Sequence, residues 1–321
     1  MEKRLLSIPS AFGYSAIMRR ISAPLLLVSA LLWGCLTSGG RELAAEYYNI
    51  GNGFLELGQY EKAVQYFRDA LRLDPALVKA DYNLALTYVR LQRIPDARQT
   101  IERLLVDDPQ NATLLSALAW AYHKEGRDED ALAQYDRLIA VAPENQDALY
   151  NSGLILSSLK RNEQALRRFE ALLALAPEDS DALFAASTLL LSMEDPSASI
   201  DYIGRYLLKK PEDKEAYYLL ADAHERKEEY LPALQAYEKI AALDARQANA
   251  WFGKARLLLS VIEDPVKGLE ALQKALELGF NDPEAVKTLL NAESLLEKEK
   301  VRSMLQEKKL LPEEPTATPS Q

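Results

Sequence analysis

The sequence predicts an all-α solenoid of stacked helical hairpins. Three observations predict it. Pro75, Pro109, Pro143, Pro177 and Pro211 stand 34 residues apart at every step. Ala63, Ala97, Ala131 and Ala165 keep the same spacing, and the next steps land on Ser199 and Ala233. Large side chains recur at that step or its multiples: Phe67, Ile101, Tyr135, Phe169 and Tyr237. A fixed period of this length marks a repeat array.

The chain opens with a leader. Residues 18–35 read MRRISAPLLLVSALLWGC, two arginines followed by 14 uncharged residues from Ile21 to Gly34. That is short for a membrane span and right for the apolar core of a signal peptide. Residues 1–34 are read as that signal, with Met18 the expected true start, since residues 1–17 precede a complete positively charged start. The stretch ends at Cys35, the only cysteine. Leu32-Trp33-Gly34-Cys35 resembles the bacterial lipobox, although Trp33 stands where a small residue is usual. The resemblance implies diacylglycerol modification of Cys35; ordinary secretion or a buried, inert cysteine is the competing reading. Residues 35–43 then form a lipidated cysteine and short tether. One cysteine cannot form a disulfide within the chain.

The repeats span 44–282. In the first copy Gly58 follows an apolar stripe, where a left-handed helix end favours glycine. Tyr60 and Ala63 open the second helix, and Pro75 prevents continuation as one rod. The small residue at Ala63 lets two antiparallel helices approach closely. One hairpin cannot bury its own apolar face, so each copy stacks on the next. Tyr47, Ile50-Gly51, Phe54, Gly58-Gln59-Tyr60, Ala63, Phe67, Ala70 and Pro75 resemble the tetratricopeptide repeat. The resemblance covers seven copies and implies a right-handed superhelix whose A helices line a concave face. The fifth copy (180–213) departs from the pattern with Ser199 in the alanine column. The seventh (248–282) has one extra residue and Gly268 there. In both, Asp195-Pro196 and Asp264-Pro265 read as a helix cap followed by proline at the first helical position. A partial repeat with capping helices is expected over 283–311, Asp282 capping a helix to about Asn291 and a Glu/Lys-rich helix following from about Ser294 to Lys309. The tail 312–321 (PEEPTATPSQ) lacks core-forming residues and is expected to be disordered.

The charge excludes some functions. There are 38 basic and 48 acidic residues, net −10. Removing 1–34 leaves 34 basic against 47 acidic, net −13. No basic face for nucleic acid is evident. The two histidines, His123 and His224, fall in different copies. His224 shares a column with Phe54, Tyr88 and Tyr122 and reads as a packed ring. There is no metal-ligand pair, phosphate loop or nucleophile elbow. No catalytic residue, metal or cofactor is expected, and the chain is read as a non-enzymatic interaction protein.

Candidate partner-binding residues lie on the A helices. Asn49, Asn83 and Asn151 share a column. Asparagine amides donate and accept, so a row of them can hold an extended peptide backbone. This is similar to the asparagine ladder in the superhelix of O-linked N-acetylglucosamine transferase; generic repeat consensus explains the column equally. Lys79 could contribute to a carboxylate clamp, but Ala45 and Ala117 occupy places where further basic residues would be needed. Trp120, His123 and Lys124 share one helical face. Trp120 varies down its column, with Asn52 at the same place in the first copy, so it reads either as an interface anchor or as partly buried packing. The resemblance to bacterial lipoproteins with these repeats implies an envelope-facing, lipid-anchored scaffold binding a protein or peptide. The alternative is an accessory lipoprotein docking a transporter's solute-binding protein.

Overall fold

The computed structural model describes residues 27–311, with side chains from 39 onward. The first 26 residues, the Cys35 side chain and the tail from 312 lie outside the described residues, and with them most of the expected leader. The chain divides into two units, Met1–Arg168 and Phe169–Gln321.

The first unit holds α1 (Leu27–Glu56), α2 (Tyr60–Leu73), α3 (Val78–Arg90), α4 (Ile94–Asp107), α5 (Ala112–Lys124), α6 (Asp128–Val141), α7 (Gln146–Ser158) and the start of α8 (Asn162–Leu175). The second holds the rest of α8, then α9 (Ser180–Ser192), α10 (Pro196–Lys209), α11 (Lys214–Arg226), α12 (Tyr230–Leu243), α13 (Ala248–Ser260), α14 (Pro265–Glu277), α15 (Pro283–Asn291) and α16 (Lys298–Glu307). Odd-numbered helices are the A members of hairpins and even-numbered ones the B members. Within the first unit α1 packs on α2, α2 on α3, and so on to α7; α9 to α14 follow the same order in the second. Among the described residues every regular element is a helix. Seven hairpins and a final helix pair account for the described residues.

The alanine column lies where A and B helices meet. Ala63, Ala97, Ala131, Ala165 and Ala233 are fully buried. Ser199 fills the column by pairing with Ser187: their hydroxyls lie 2.9 Å apart, and the Ser199 hydroxyl donates to the Ser187 carbonyl at 2.9 Å. Gly268 is there for space, because a Cβ would stand 2.6 Å from Leu259 Cγ. The large-residue column presses on the A-helix backbone. A Cβ on Gly51 would lie 2.7 Å from the Phe67 ring, and one on Gly253 would lie 2.5 Å from that of Tyr237.

Two further columns emerge from the backbone. Asn111, Asn145, Asp179 and Asp213 stand 34 apart, each capping the next A helix by accepting from the N–H three residues on, at 2.8–3.2 Å. A residue in the turn before each B helix is left-handed: Gly58, Gln92, Gly126, Lys160, Glu194, Glu228, Glu263 and Glu297, with φ of 53–73°. Those positions also step by 34, apart from one step of 35 that absorbs the seventh copy's extra residue. Glu297 therefore marks α15 and α16 as an eighth hairpin. It also explains why α16 is shorter than the expected helix: residues 294–297 form the turn, where Leu296 N–H donates to the Leu259 carbonyl at 2.9 Å. Asp195, Asp264 and Asp282 cap α10, α14 and α15, as their sequence context suggests.

The residues of the expected tether are helical. Residues 36–43 are part of α1, which runs without a break through Gly39 and Gly40 into the first repeat. No proline interrupts this stretch. No described helix is long and apolar enough to cross a membrane.

Candidate binding interface

The A helices of the first unit bring part of the expected site together. Asn49 is exposed on α1, one turn before Asn52. From α3, Asn83 Nδ2 donates to Asn52 Oδ1 at 2.7 Å and to the Tyr48 hydroxyl at 3.4 Å. Lys79, one turn earlier on α3, places its ammonium 4.4 Å from the Tyr48 ring centroid. The result is a compact patch of two amides, a phenol and a cation across two successive A helices. It offers donors, acceptors and one aromatic face. Asn83 is oriented by Asn52, so the two amides act as one unit rather than as separate rungs.

Two expected contact residues are buried. Trp120 is only 7% exposed and Asn151 only 3%. The cause is the composition of their helices. In α5, Leu114, Leu115, Ala117, Leu118, Ala119 and Ala121 are buried along with Trp120. In α7, Ala148, Leu149, Ser152, Gly153, Ile155 and Leu156 are buried along with Asn151. α5, apolar round most of its circumference, is enclosed by its neighbours, and α7 packs against α6. The asparagine column therefore does not continue as an exposed row into α7.

His123 and Lys124 lie at the end of α5. His123 Nδ1 is 2.7 Å from Asp128 Oδ1 on the first residue of α6, which holds the ring across the hairpin turn. Lys124 is exposed. His224 repeats the arrangement in the second unit, with Nδ1 2.7 Å from Glu229 Oε2. Hydrogen bonds from Lys227 first, then His224, hold the Glu229 carboxyl below its usual range. Both histidines brace a turn.

An enclosed ionic group lies in the second unit and was not legible as a set. Glu225 accepts from the Tyr237 hydroxyl at 2.8 Å and from the Arg256 guanidinium. Burial pushes the Tyr237 hydroxyl above its usual range, with Glu225 adding to the shift. Burial is the largest influence on Arg256 and opposes its charge, but the hydrogen bond and charge of Glu225, with Tyr237 adding to them, together hold the guanidinium above its usual value. The phenol and guanidinium stay protonated around one carboxylate, which ties α11, α12 and α13 together. Among the described residues, no group of three or more His, Cys, Asp or Glu is placed to hold a metal ion.

This architecture defines a class: helical-repeat proteins that work as interaction scaffolds. Family models described as tetratricopeptide repeat match residues 54–118, 116–180 and 184–246, together more than half of the chain. The chain belongs to the tetratricopeptide repeat family. It is 30% identical over 105 residues to the type IV pilus assembly protein PilF of Pseudomonas aeruginosa, an alignment covering 30% of this chain and 42% of that protein. The chain thus spans less than half the length of this relative. Among solved structures, a tetratricopeptide repeat protein from Parabacteroides merdae superposes with a TM-score of 0.53 at 20% identity, covering 84% of this chain and 99% of its own. YrrB, described as a tetratricopeptide repeat protein with an unusual peptide-binding site, gives 0.52 at 20% identity, covering 59% and 96%. These two likenesses concern the fold.

Proposed function

We propose that the chain is a lipid-anchored scaffold of a bacterial envelope, without enzymatic activity, that binds an extended peptide segment of a partner protein along the A helices of its first unit. The observation that carries the binding site is the Tyr48–Asn52–Lys79–Asn83 patch, with exposed Asn49 beside it. Paired amides recognise a backbone whatever its side chains, and Lys79 favours a carboxylate at one end. His123 and Lys124 extend the row at the end of α5, while Trp120 and Asn151 support it from within. A relative named for pilus assembly and a fold neighbour named for peptide binding support this reading.

The anchor is Cys35. Because residues 36–43 are helical, they rise only about 12 Å along α1, at about 1.5 Å per residue. The first hairpin then stays close to the lipid surface. Two experiments test the proposal. Cys35→Ser is expected to abolish lipid labelling and membrane retention. Asn49→Ala with Asn83→Ala is expected to cut partner capture about tenfold or more without lowering the melting temperature by more than a few degrees. Unchanged fractionation would overturn the anchor, and unchanged capture would overturn the site.

A further inference from the structure

The outer face of α1 carries an apolar stripe that the fold covers everywhere else. Leu43, Tyr47, Ile50 and Phe54, with Leu57 in the turn just past the helix, follow one another at spacings of four, three, four and three. That is the seam pattern of a helix that pairs with another helix. Tyr47 and Phe54 are partly covered from their own hairpin by Tyr66, at centroid distances of 6.0 and 5.2 Å. Ile50 is 42% exposed and Leu57 70%. In the next copies the Ile50 column holds Leu84 and Leu118, which are buried because α2 packs on α3 and α4 on α5. Among the described residues no B helix precedes α1, so its stripe lacks that cover.

We propose that this stripe pairs with the same stripe of a second copy of the chain, antiparallel about a two-fold axis at Ile50. The sequence of the stripe is nearly symmetric about that residue. Antiparallel pairing sets Leu43 against Leu57 of the second copy, Tyr47 against Phe54, and Ile50 against itself. The charges fit this arrangement as well. Glu42, Glu46 and Glu56 then stand opposite Gly58, Phe54 and Ala44, so no carboxylate meets its own copy. Lys62 places its ammonium 5.1 Å from the Phe54 ring centroid, beside the position that Glu46 of the second copy reaches. The two-fold axis makes that ion pair twice. Parallel pairing would instead set Glu46 against Glu46 and lose both. A head-to-tail contact has no matching surface on α16, whose exposed residues include Glu299, Lys300, Ser303 and Glu307. A closed two-fold dimer needs only this one self-complementary patch.

Cys35 is the only cysteine, so Cys35→Ser frees the chain for single-cysteine cross-linking. The full chain in this background is purified in detergent and mildly oxidised. Ile50→Cys is expected to form a covalent dimer in at least tenfold higher yield than Leu57→Cys or the exposed control Val106→Cys. Leu43→Cys mixed with Leu57→Cys should form the mixed dimer. Lys62→Glu should lower the Ile50→Cys yield several-fold, and adding Glu46→Lys to the same chain should restore it. Circular dichroism melting confirms that each variant is folded. Equal yields from Ile50→Cys and Val106→Cys would overturn the proposal. So would efficient self-linking of Leu57→Cys, which would mean parallel pairing or association through the apolar leader. If the chain instead binds phosphatidylcholine vesicles through Ile50, shown by loss of binding in Ile50→Glu without any cross-linked dimer, lipid is the occupant and the dimer is refuted.

Discussion

Lys160 and Glu228 sit in the left-handed column at φ 61° and 58°, where Gly58 and Gly126 show what the backbone prefers. A side chain in that conformation costs about 1 kcal/mol or more relative to glycine. Lys160→Gly and Glu228→Gly should each raise stability by about 1 kcal/mol, measured as a higher melting temperature, because the turn geometry is already present and no ion pair of theirs is lost. The opposite sign is expected at Gly268. Its Cβ would press on Leu259 and Leu258, so Gly268→Ala should destabilise by about 1–3 kcal/mol. Ser199→Ala in the equivalent column should cost only about 1 kcal/mol, the value of one hydrogen bond. These positions also show what the sequence reveals at this scale. The alanine column was legible because one small residue type repeats. The left-handed column was not, because glycine occupies it only twice among Gln, Lys and Glu, and the backbone rather than the side chain carries the period. Trp120, which the sequence leaves open between an interface anchor and packing, is buried. Variation down its column suggested exposure, whereas the apolar composition of all of α5 decides burial.

At the scale of elements, the turns between hairpins are held by local acids. Asp244, between α12 and α13, accepts from Gln247 Nε2 at 2.8 Å, Lys214 Nζ at 3.0 Å and Arg246 N–H at 3.0 Å. The Gln247 bond first, then Lys214 and the backbone, hold its carboxyl well below the usual carboxylate range. The folded-state value lies below the unfolded one. The stabilisation is therefore present above the unfolded value of about 3.9 and is lost as pH falls below it. Asp244→Asn should melt lower than the parent at neutral pH, and the gap should close in strong acid. A gap constant with pH would mean that the carboxylate charge plays no part. Helix order and pairing were legible from the 34-residue step, as were the caps at Asp195, Asp264 and Asp282. The start of α1 and the start of α16 were not. Each depends on backbone continuity or on a turn in the left-handed column, and neither leaves a strong mark in residue type.

At the scale of the whole molecule, the repeats account for most of an acidic chain. The Glu225–Tyr237–Arg256 cluster and both histidines tie helices together. The candidate patch was half legible: Asn49 and Asn83 stood out as a column, but the bond from Asn83 to Asn52 crosses 31 residues and needs two stacked hairpins to exist. The central claim is that a partner lies along the A helices of the first unit. The most direct test is site-specific photocrosslinking in living cells. A photoreactive residue is placed in turn at Asn49 and Lys124 on A helices, and at Gln65 and Gln99, which are exposed on the B helices α2 and α4. Covalent adducts to one partner at Asn49 and Lys124, with none at Gln65 and Gln99, are the predicted result. Adducts confined to the B-helix positions would contradict it.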